Sequence, residues 1–233
     1  AKLLLAEGKG AKLTPDTIST VLAGITRGVH QVPAQAISVT QASEYGLCYE
    51  PGEVAAIGAL ADAYGLGLHM DGARFGNACA YLDTAPAEVA GPVDALSLGF
   101  VKNGGMGAEA VVLFDTEKAD MIRFRRKRAG HLQSKGRYLA AQIHAMLDDD
   151  LWLENARAAN AAAAIIAERA GHRLVYPAQI NELFVAMTAE ERAAVREQGF
   201  SFYDWDDTCV RLVTNWATDP DHARALGKAI ASL

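Results

Sequence analysis

The stretch Leu66-Gly67-Leu68-His69-Met70-Asp71-Gly72-Ala73-Arg74 places a short apolar run directly before an acid, a glycine and an arginine. A run of this length, bounded by turn-forming residues, is typical of a buried strand, and it predicts that the strand ends at Asp71 and Gly72. Helical patterns lie on both sides, at 51–64 and 73–81. Because strand and helix alternate, we predict an α/β fold with a mostly parallel sheet covered by helices.

The remaining patterns divide the chain into two parts. Further β-prone runs in the first part lie at 36–40, 94–97 and 110–114, and residues 1–7 also read as a strand. In the second part, helices are predicted at 138–150, 151–170, 189–198 and 219–232, and strands at 173–176, 182–187 and 209–213. We therefore predict part of a large domain in residues 1–138. Residues 139–233 are predicted to form a linking helix and a small C-terminal α+β domain.

Composition limits the classes of partner. The 233 residues are 51% apolar and carry a net charge of −6, and this acidic balance argues against a nucleic-acid or membrane-surface partner. No apolar run approaches the roughly 20 residues that a membrane-spanning helix needs. The three cysteines, Cys48, Cys79 and Cys209, show no metal-ligand or paired spacing, so we expect a protein of the reducing cytoplasm.

A lysine stands in the next strand-like segment, Ala95-Leu96-Ser97-Leu98-Gly99-Phe100-Val101-Lys102-Asn103-Gly104-Gly105-Met106-Gly107. Ligands bind beyond the carboxyl ends of parallel strands, so we expect Asp71 and Lys102 to lie at the same edge of the sheet. The residues before Lys102 are too apolar for a surface loop, and an apolar shelf favours the neutral, nucleophilic amine.

This pairing predicts a pyridoxal phosphate (PLP) enzyme. PLP chemistry requires a lysine that bonds to the cofactor and an acid that keeps the ring nitrogen protonated. The alternatives are that Asp71 and Gly72 form an ordinary turn and that Lys102 is an ordinary solvated lysine.

These residues resemble the low-specificity threonine aldolase and phenylserine aldolase group of the PLP-dependent β-eliminating lyase superfamily. The resemblance runs over nearly the whole chain, and its matching residues are 69–78, 102–104, 107–110, 127–132, 134–135 and 210–214. It implies the aspartate-aminotransferase-like fold, called fold type I. It also implies a carbon–carbon lyase, a homodimer or homotetramer, that cleaves a β-hydroxy-α-amino acid to glycine and an aldehyde.

The resemblance implies a role for each matching residue. Lys102 would be the Schiff-base lysine, Asp71 the partner of the pyridinium nitrogen, and Arg74 a neighbour of the cofactor ring. Arg211, which lies on an apolar strand, would bind the α-carboxylate of the substrate through its guanidinium fork. The alternative for Arg211 is a strand-edge arginine paired with Asp206 or Asp207.

Further assignments rest on the resemblance alone. His30 aligns with a histidine near the substrate hydroxyl and would accept the proton that starts cleavage, although a loop histidine is often structural. Lys127 and Lys135, with Arg128 between them, belong to a basic segment that in relatives approaches the cofactor phosphate or the neighbouring active site. As an alternative, this segment is the solvated end of a helix.

The chain departs from the family pattern at its start. Relatives carry a glycine/threonine loop that binds the phosphate and a side chain that stacks on the ring, and we find neither motif here. We therefore expect a fragment or processed product that binds PLP weakly by itself, and an inert fragment is one alternative to an active enzyme. A second alternative is an iron site made by His69 and Asp71 with His131 or His172.

Overall fold

The computed structural model describes residues 2–25 and 28–233, and its larger sheet contains the strand that ends beside Asp71. The strands are β1 (Ala36–Thr40), β2 (Gly67–Gly72), β3 (Ala95–Leu98) and β4 (Ala110–Leu113), in that spatial order. β1, β2 and β3 are parallel, whereas β4 is antiparallel to β3. The predicted mostly parallel sheet is confirmed, and β4 is its exception.

Helices lie before and between the parallel strands. α1 (Pro15–Ala23) precedes β1, α2 (Pro51–Tyr64) connects β1 to β2, and α3 (Phe75–Leu82) and α4 (Pro86–Ala90) connect β2 to β3. α2 begins at a capping box, in which the side chains of Glu50 and Glu53 each accept from the other's backbone N–H, and it ends at Gly65 with φ +65°. These signals stand in the sequence itself, and for this reason the predicted bounds of α2 are those observed.

Alternation along β2 decides which side chains enter the first core. Leu68 and Met70 are buried on the face that packs against the helices, and His69 and Asp71 lie on the opposite, partly exposed face. The His69 ring contacts Ser38 Oγ of β1 through Nδ1 (2.8 Å) and Ser97 Oγ of β3 through Nε2 (3.0 Å). His69, the residue before Asp71 on this face, is therefore held by contacts with both neighbouring strands, β1 and β3.

The second part of the chain builds a smaller sheet. Its helices are α5 (Ala119–Arg128), α6 (Arg137–Leu147), α7 (Leu151–Ala170), α8 (Ala189–Glu197) and α9 (Pro220–Ala231). The strands β5 (Glu182–Ala186), β6 (Tyr203–Asp204) and β7 (Cys209–Val213) form an antiparallel sheet in the order β5-β7-β6. A second core lies between this sheet and the helices α7 and α9.

The two cores meet along α7. The first core extends to Trp152, whose ring is parallel to that of Phe75 (8° between planes) with 6.4 Å between the centroids. The second core begins at Ala162 on the same helix. The passage from one core to the other thus occurs within α7, and the division at residues 138 and 139 stays a prediction.

Some sequence expectations were wrong. Residues 2–8 form no strand: Leu3 and Leu5 are 81% and 89% exposed, and no described strand pairs with them. The strand expected at 173–176 is a 3-10 turn followed by one isolated bridge, Leu174 to Val185. Apolar residues favour a strand, but a strand also needs a partner edge, which local sequence does not reveal.

No helix of the described residues is long and apolar enough to cross a membrane.

We predict that Trp152→Ala lowers the free energy of unfolding by about 3–5 kcal/mol, because it removes a buried aromatic side chain and leaves a cavity where α7 meets the first core. Denaturant unfolding measures this loss. Trp216→Ala is the matched control: its ring is 50% exposed, against 5% for Trp152, so the expected loss is below about 1 kcal/mol. Equal losses in the two variants would show that α7 does not depend on the Trp152 contact.

Candidate active site

Asp71 lies at the carboxyl end of β2, and Lys102 lies just beyond the carboxyl end of the neighbouring strand β3, as predicted. Asp71 Oδ1 accepts a hydrogen bond from Ala73 N (3.0 Å), which starts the turn into α3. Within the described residues, no hydrogen-bond donor contacts Asp71 Oδ2. The acid therefore ends a strand, shapes the turn after it and keeps one oxygen available as an acceptor.

Two glycines allow these strand ends to approach each other. A Cβ at Gly72 would lie 2.7 Å from Leu96 Cδ1 and 2.9 Å from Ser97 O. A Cβ at Gly99 would lie 2.8 Å from Ala73 Cα. All three distances are shorter than side chains tolerate, so glycine is required at both positions.

The backbone around Lys102 forms a 3-10 turn, Val101–Asn103, which we call the lysine turn. Glu109 accepts hydrogen bonds from the N–H groups of Phe100 (3.0 Å) and Val101 (3.2 Å) at its start. At its end, Asn103 Nδ2 donates to Trp152 O (2.6 Å), and Asn155 Nδ2 donates to Asn103 O (2.9 Å). A carboxylate and two amides thus hold the lysine turn between β4 and α7.

The Lys102 side chain is exposed, so the expected burial on an apolar shelf is wrong. Phe100 and Asn103 are 1% and 5% exposed, and Lys102 stands between them. Residues three apart eclipse each other in a 3-10 helix, so Phe100 and Asn103 both point inward and Lys102 points away from them. The apolar residues before Lys102 fix its backbone and leave its amine in solvent.

Arg74 precedes α3, three residues after Asp71, and its side chain is 11% exposed. Its Nη1 lies 3.4 Å from Glu182 Oε2, and its Nε is buried without a hydrogen-bond partner among the described residues. Burial lowers the pKa of Arg74 from its usual value, and the Glu182 carboxylate opposes this effect. Arg74 is therefore a buried cation with an unused donor.

Arg211 lies on β7 opposite Phe184, and its Nε donates to Glu182 Oε1. Its guanidinium carbon is 5.8 Å from the centre of the Trp205 ring. The alternative partner, Asp206 or Asp207, is wrong: among the described residues Arg211 pairs with Glu182 only, and Asp206 accepts from Thr208 and Cys209.

Glu182 is the site residue that sequence reasoning missed. Its side chain is fully buried and contacts both arginines, so it joins the end of the large sheet to the small sheet. An acid at the start of the apolar run Leu183-Phe184-Val185 was the available signal, since a buried acid requires a cationic partner. These two guanidinium groups and one carboxylate carry one positive charge together, which the exposed Glu44 carboxylate near Arg74 partly offsets.

The structure does not bring His30 to this site. His30 lies in an exposed turn, residues 28–31, that leads into the amino end of β1 and shares a cavity wall with Leu66. Asp71 is five residues further along the strand than Leu66, or roughly 17 Å at about 3.3 Å per residue. Among the residues that the structure describes, no contact supports the assignment of His30 as a base, and it stays a prediction.

The basic residues Lys127 and Lys135 are also apart from the lysine turn. Lys127 lies on α5, which has no buried side chain, and Lys135 lies in the exposed loop that precedes α6. Within the described part of the chain, neither makes a hydrogen bond or ion pair with Lys102, Asp71 or Arg74. Their predicted contact with the cofactor phosphate stays a prediction.

The alternative iron site is not formed by the residues that the structure describes. They contain no group of three His, Cys, Asp or Glu side chains that could hold a metal ion. His69 instead contacts the two serines on the neighbouring strands.

Comparison with known sequences identifies relatives. The family model for Beta-eliminating lyase matches residues 1–190. The low specificity L-threonine aldolase of Pseudomonas aeruginosa is 38% identical over 237 residues, which cover 99% of this chain and 68% of that relative. The resemblance drawn from the motif residues is confirmed.

Solved structures show the same relationship. Threonine aldolase from Leishmania major has a TM-score of 0.91 and 29% identity, and the match covers 99% of this chain and 70% of that chain. Serine palmitoyltransferase from S. paucimobilis, solved with bound PLP, has a TM-score of 0.66 at 14% identity, covering 94% of this chain and 58% of that chain. At that identity the second match concerns the fold alone. The expected fold type I is confirmed.

We predict that Asn103→Ala lowers the free energy of unfolding by about 1–3 kcal/mol, because it removes the buried amide that donates to the Trp152 carbonyl. It also loosens the lysine turn, so the Gly105 amide, which donates to Phe100 O (2.9 Å), exchanges its hydrogen faster. Hydrogen exchange followed by NMR measures this effect.

Asn160→Ala is the matched control. Asn160 also anchors α7, through two hydrogen bonds with Asn77, but it does not touch the lysine turn. Asn160→Ala should lower the free energy of unfolding, but exchange at the Gly105 amide should increase no more than that overall loss of stability explains. Equal Gly105 exchange in both variants would contradict the specific role of Asn103.

Proposed function

The chain belongs to the beta-eliminating lyase family, and we propose that it is a PLP-dependent carbon–carbon lyase that cleaves a β-hydroxy-α-amino acid to glycine and an aldehyde. One observation carries the proposal. Asp71 and Lys102 lie at one edge of the sheet, and Arg74, three residues from Asp71, is linked through Glu182 to Arg211. An acid, an amine and two guanidinium groups are thereby collected in one region.

These side chains fit PLP. Asp71 Oδ2 is available as an acceptor for a protonated ring nitrogen, and the buried Nε of Arg74 is a donor without a partner in the described structure. Lys102 is exposed on a fixed turn, so its amine is accessible for covalent attachment. When bound, PLP accepts the electron pair released as the bond between the α- and β-carbons breaks.

The substrate is oriented by this chain's own residues. Arg211 is the proposed ligand of the α-carboxylate, because a guanidinium fork binds a carboxylate through two parallel hydrogen bonds. Asp71, as an anion, favours the protonated form of the ring nitrogen. The residue that accepts the proton of the β-hydroxyl stays open, since the neighbours of His30, Val29 and Gln31, line a cavity with Leu66, which precedes β2.

We also propose a homodimer or homotetramer. α5 has no buried side chain, and it exposes Met121 (54%) and Phe124 (79%) beside four basic residues at its end. Such a surface is suited to contact with a second copy, where Lys127 and Lys135 would approach a cofactor phosphate. Equilibrium sedimentation of the purified protein tests the oligomeric state.

The cytoplasm is the proposed compartment. Cys48, Cys79 and Cys209 are unpaired and buried. Burial raises the pKa of the Cys48 and Cys79 thiols to about 12 and that of Cys209 to about 11. Protonated, unpaired thiols fit a reducing compartment.

The direct test supplies the protein with PLP and either threonine or phenylserine and measures both products. Glycine and the matching aldehyde should appear in equal amounts, and only when PLP is present. A folded protein that forms neither product from either substrate would contradict the proposed activity and support an inert polypeptide.

We predict that Lys102→Ala abolishes covalent attachment of PLP. Borohydride treatment followed by peptide mass spectrometry should find PLP on Lys102 of the parent and on no lysine of the variant, and product formation should fall to background. Lys228→Ala, at an exposed position on α9, is the control that should behave as the parent. PLP trapped on a different lysine of the parent would overturn the assignment.

We predict that Asp71→Asn leaves PLP bound but slows cleavage by more than about tenfold, or about 1.4 kcal/mol of barrier, because an amide no longer favours the protonated ring nitrogen. Product release measured at saturating PLP tests this. Asp62→Asn, an exposed change on α2, should leave the rate unaltered. A rate within about tenfold of the parent would identify Asp71 as a turn residue only.

A further inference from the structure

We propose that Glu182 is a positioning residue for substrate recognition: its buried carboxylate holds the Nε edge of Arg211, so that the two Nη groups of Arg211 face the substrate carboxylate. This inference rests on the proposed function, since it concerns how the α-carboxylate of the amino-acid substrate is bound. Glu182 itself is not proposed to touch the substrate.

The first step is the geometry of the small sheet. Glu182 is opposite Val213 in the antiparallel register, and Arg211 is opposite Phe184. Glu182 and Arg211 are therefore diagonal neighbours on the same face of the sheet, within reach of long side chains. The other face of these strands enters the second core, so the register of the sheet fixes the pair.

The Arg211 guanidinium uses only one of its donor groups within the chain. Its Nε donates to Glu182 Oε1, and within the described residues its Nη1 and Nη2 donate to no other group. The side chain is 20% exposed, whereas that of Glu182 is fully buried. The contact therefore holds the inner edge of the guanidinium and leaves the outer edge, with two parallel donors, accessible to a carboxylate.

The buried charge of Glu182 is balanced by two arginines. A lone carboxylate at this depth would be strongly unfavourable, and Glu182 is compensated by Arg211 on one oxygen and by Arg74 Nη1 at 3.4 Å from the other. The two guanidinium ions and the Glu182 carboxylate together carry one positive charge, and the exposed Glu44 carboxylate, which also acts on Arg74, offsets part of it. A substrate carboxylate can bind Arg211 without displacing Glu182.

Both the charge and the length of Glu182 matter in this arrangement. Glu182 accepts a hydrogen bond from Arg211 only, and Oε2 meets Arg74 as an ion pair without a hydrogen bond. An amide is neutral and has a donor nitrogen in place of one oxygen, so Glu182→Gln loses the charge that faces both arginines. An aspartate keeps the charge but is one methylene shorter, so Glu182→Asp cannot reach both guanidinium groups. The two variants thus remove the bridge in different ways.

The test compares glycine with glycinamide, which lacks the carboxylate, by calorimetric titration of the PLP-loaded protein. The parent should bind glycine more tightly. Glu182→Gln should weaken glycine binding by about tenfold or more and glycinamide binding by less than about twofold, because only the carboxylate uses Arg211. Glu182→Asp should give the same pattern, and it serves in place of Glu182→Gln if the loss of charge prevents folding.

A matched control and a double variant separate positioning from general damage. Glu191→Gln breaks another ion pair of the C-terminal part, with Arg173 Nη2 at 2.9 Å, and should leave the ratio of the two affinities unchanged. Arg211→Lys should weaken glycine binding, and adding Glu182→Gln should weaken it by less than about twofold more, because Glu182 acts through Arg211.

A measurement without ligand shows the bridge itself. In the 15N spectrum of arginine-labelled protein without substrate, the Arg211 Nε–H should be protected from exchange, and Glu182→Gln should remove that protection. Rapid exchange in the parent would overturn the bridge.

The remaining outcomes are distinct. Equal weakening of glycine and glycinamide, additive losses in the double variant, or unchanged glycine binding in both Glu182 variants would overturn the positioning role. If the PLP-loaded parent binds neither ligand, the proposed function fails and the substrate role of Glu182 fails with it. The protected Nε–H would then still separate a failed activity from a missing bridge.

Discussion

The structure depends on one constraint: helix α7 must pack closely against elements of both cores at once. Its 20 residues span about 30 Å, enough to run from the lysine turn to the small sheet. Small side chains allow close approach of neighbouring elements, and most of its buried positions are alanine: Ala156, Ala159, Ala162, Ala163 and Ala170. The alanine-rich sequence is thus a packing requirement of a helix that touches both halves of the site.

Hydrogen bonds along α7 convert this close packing into a fixed geometry. Asn155 binds the lysine turn near one end of the helix, and the carbonyl of Ala159 accepts from Thr214 Oγ1 (2.7 Å), directly after β7. The strand that carries Arg211 is therefore held relative to the turn that carries Lys102. Because both segments are held in place, the single side chain of Glu182 can contact Arg74 after β2 and Arg211 on β7.

Sequence predicted those parts of the fold whose signals are local. α2 and α7 have the predicted bounds because a proline or an apolar period begins them and a glycine ends them, and β1 was predicted to the residue. The antiparallel direction of β4 and the absence of a strand at the described residues 2–8 were not predictable in this way. Both depend on which edge is available for pairing, and this is a property of the assembled sheet.

The same distinction separates the predicted part of the site from the missed part. Asp71 and Lys102 were predicted to lie at one edge of the sheet because Asp71 ends one strand and Lys102 follows the next, and the structure places both there. The exposure of Lys102 was missed because it depends on the three-residue repeat of a short turn, not on the apolar character of its neighbours. Glu182 is 29 residues from Arg211 and contacts Arg74 across the two sheets, so no local pattern links the three. The available signal was the unfavourable free energy of burying a charge. An acid on an otherwise apolar strand, such as Glu182, requires a cationic partner, and the folded chain supplies Arg74 and Arg211.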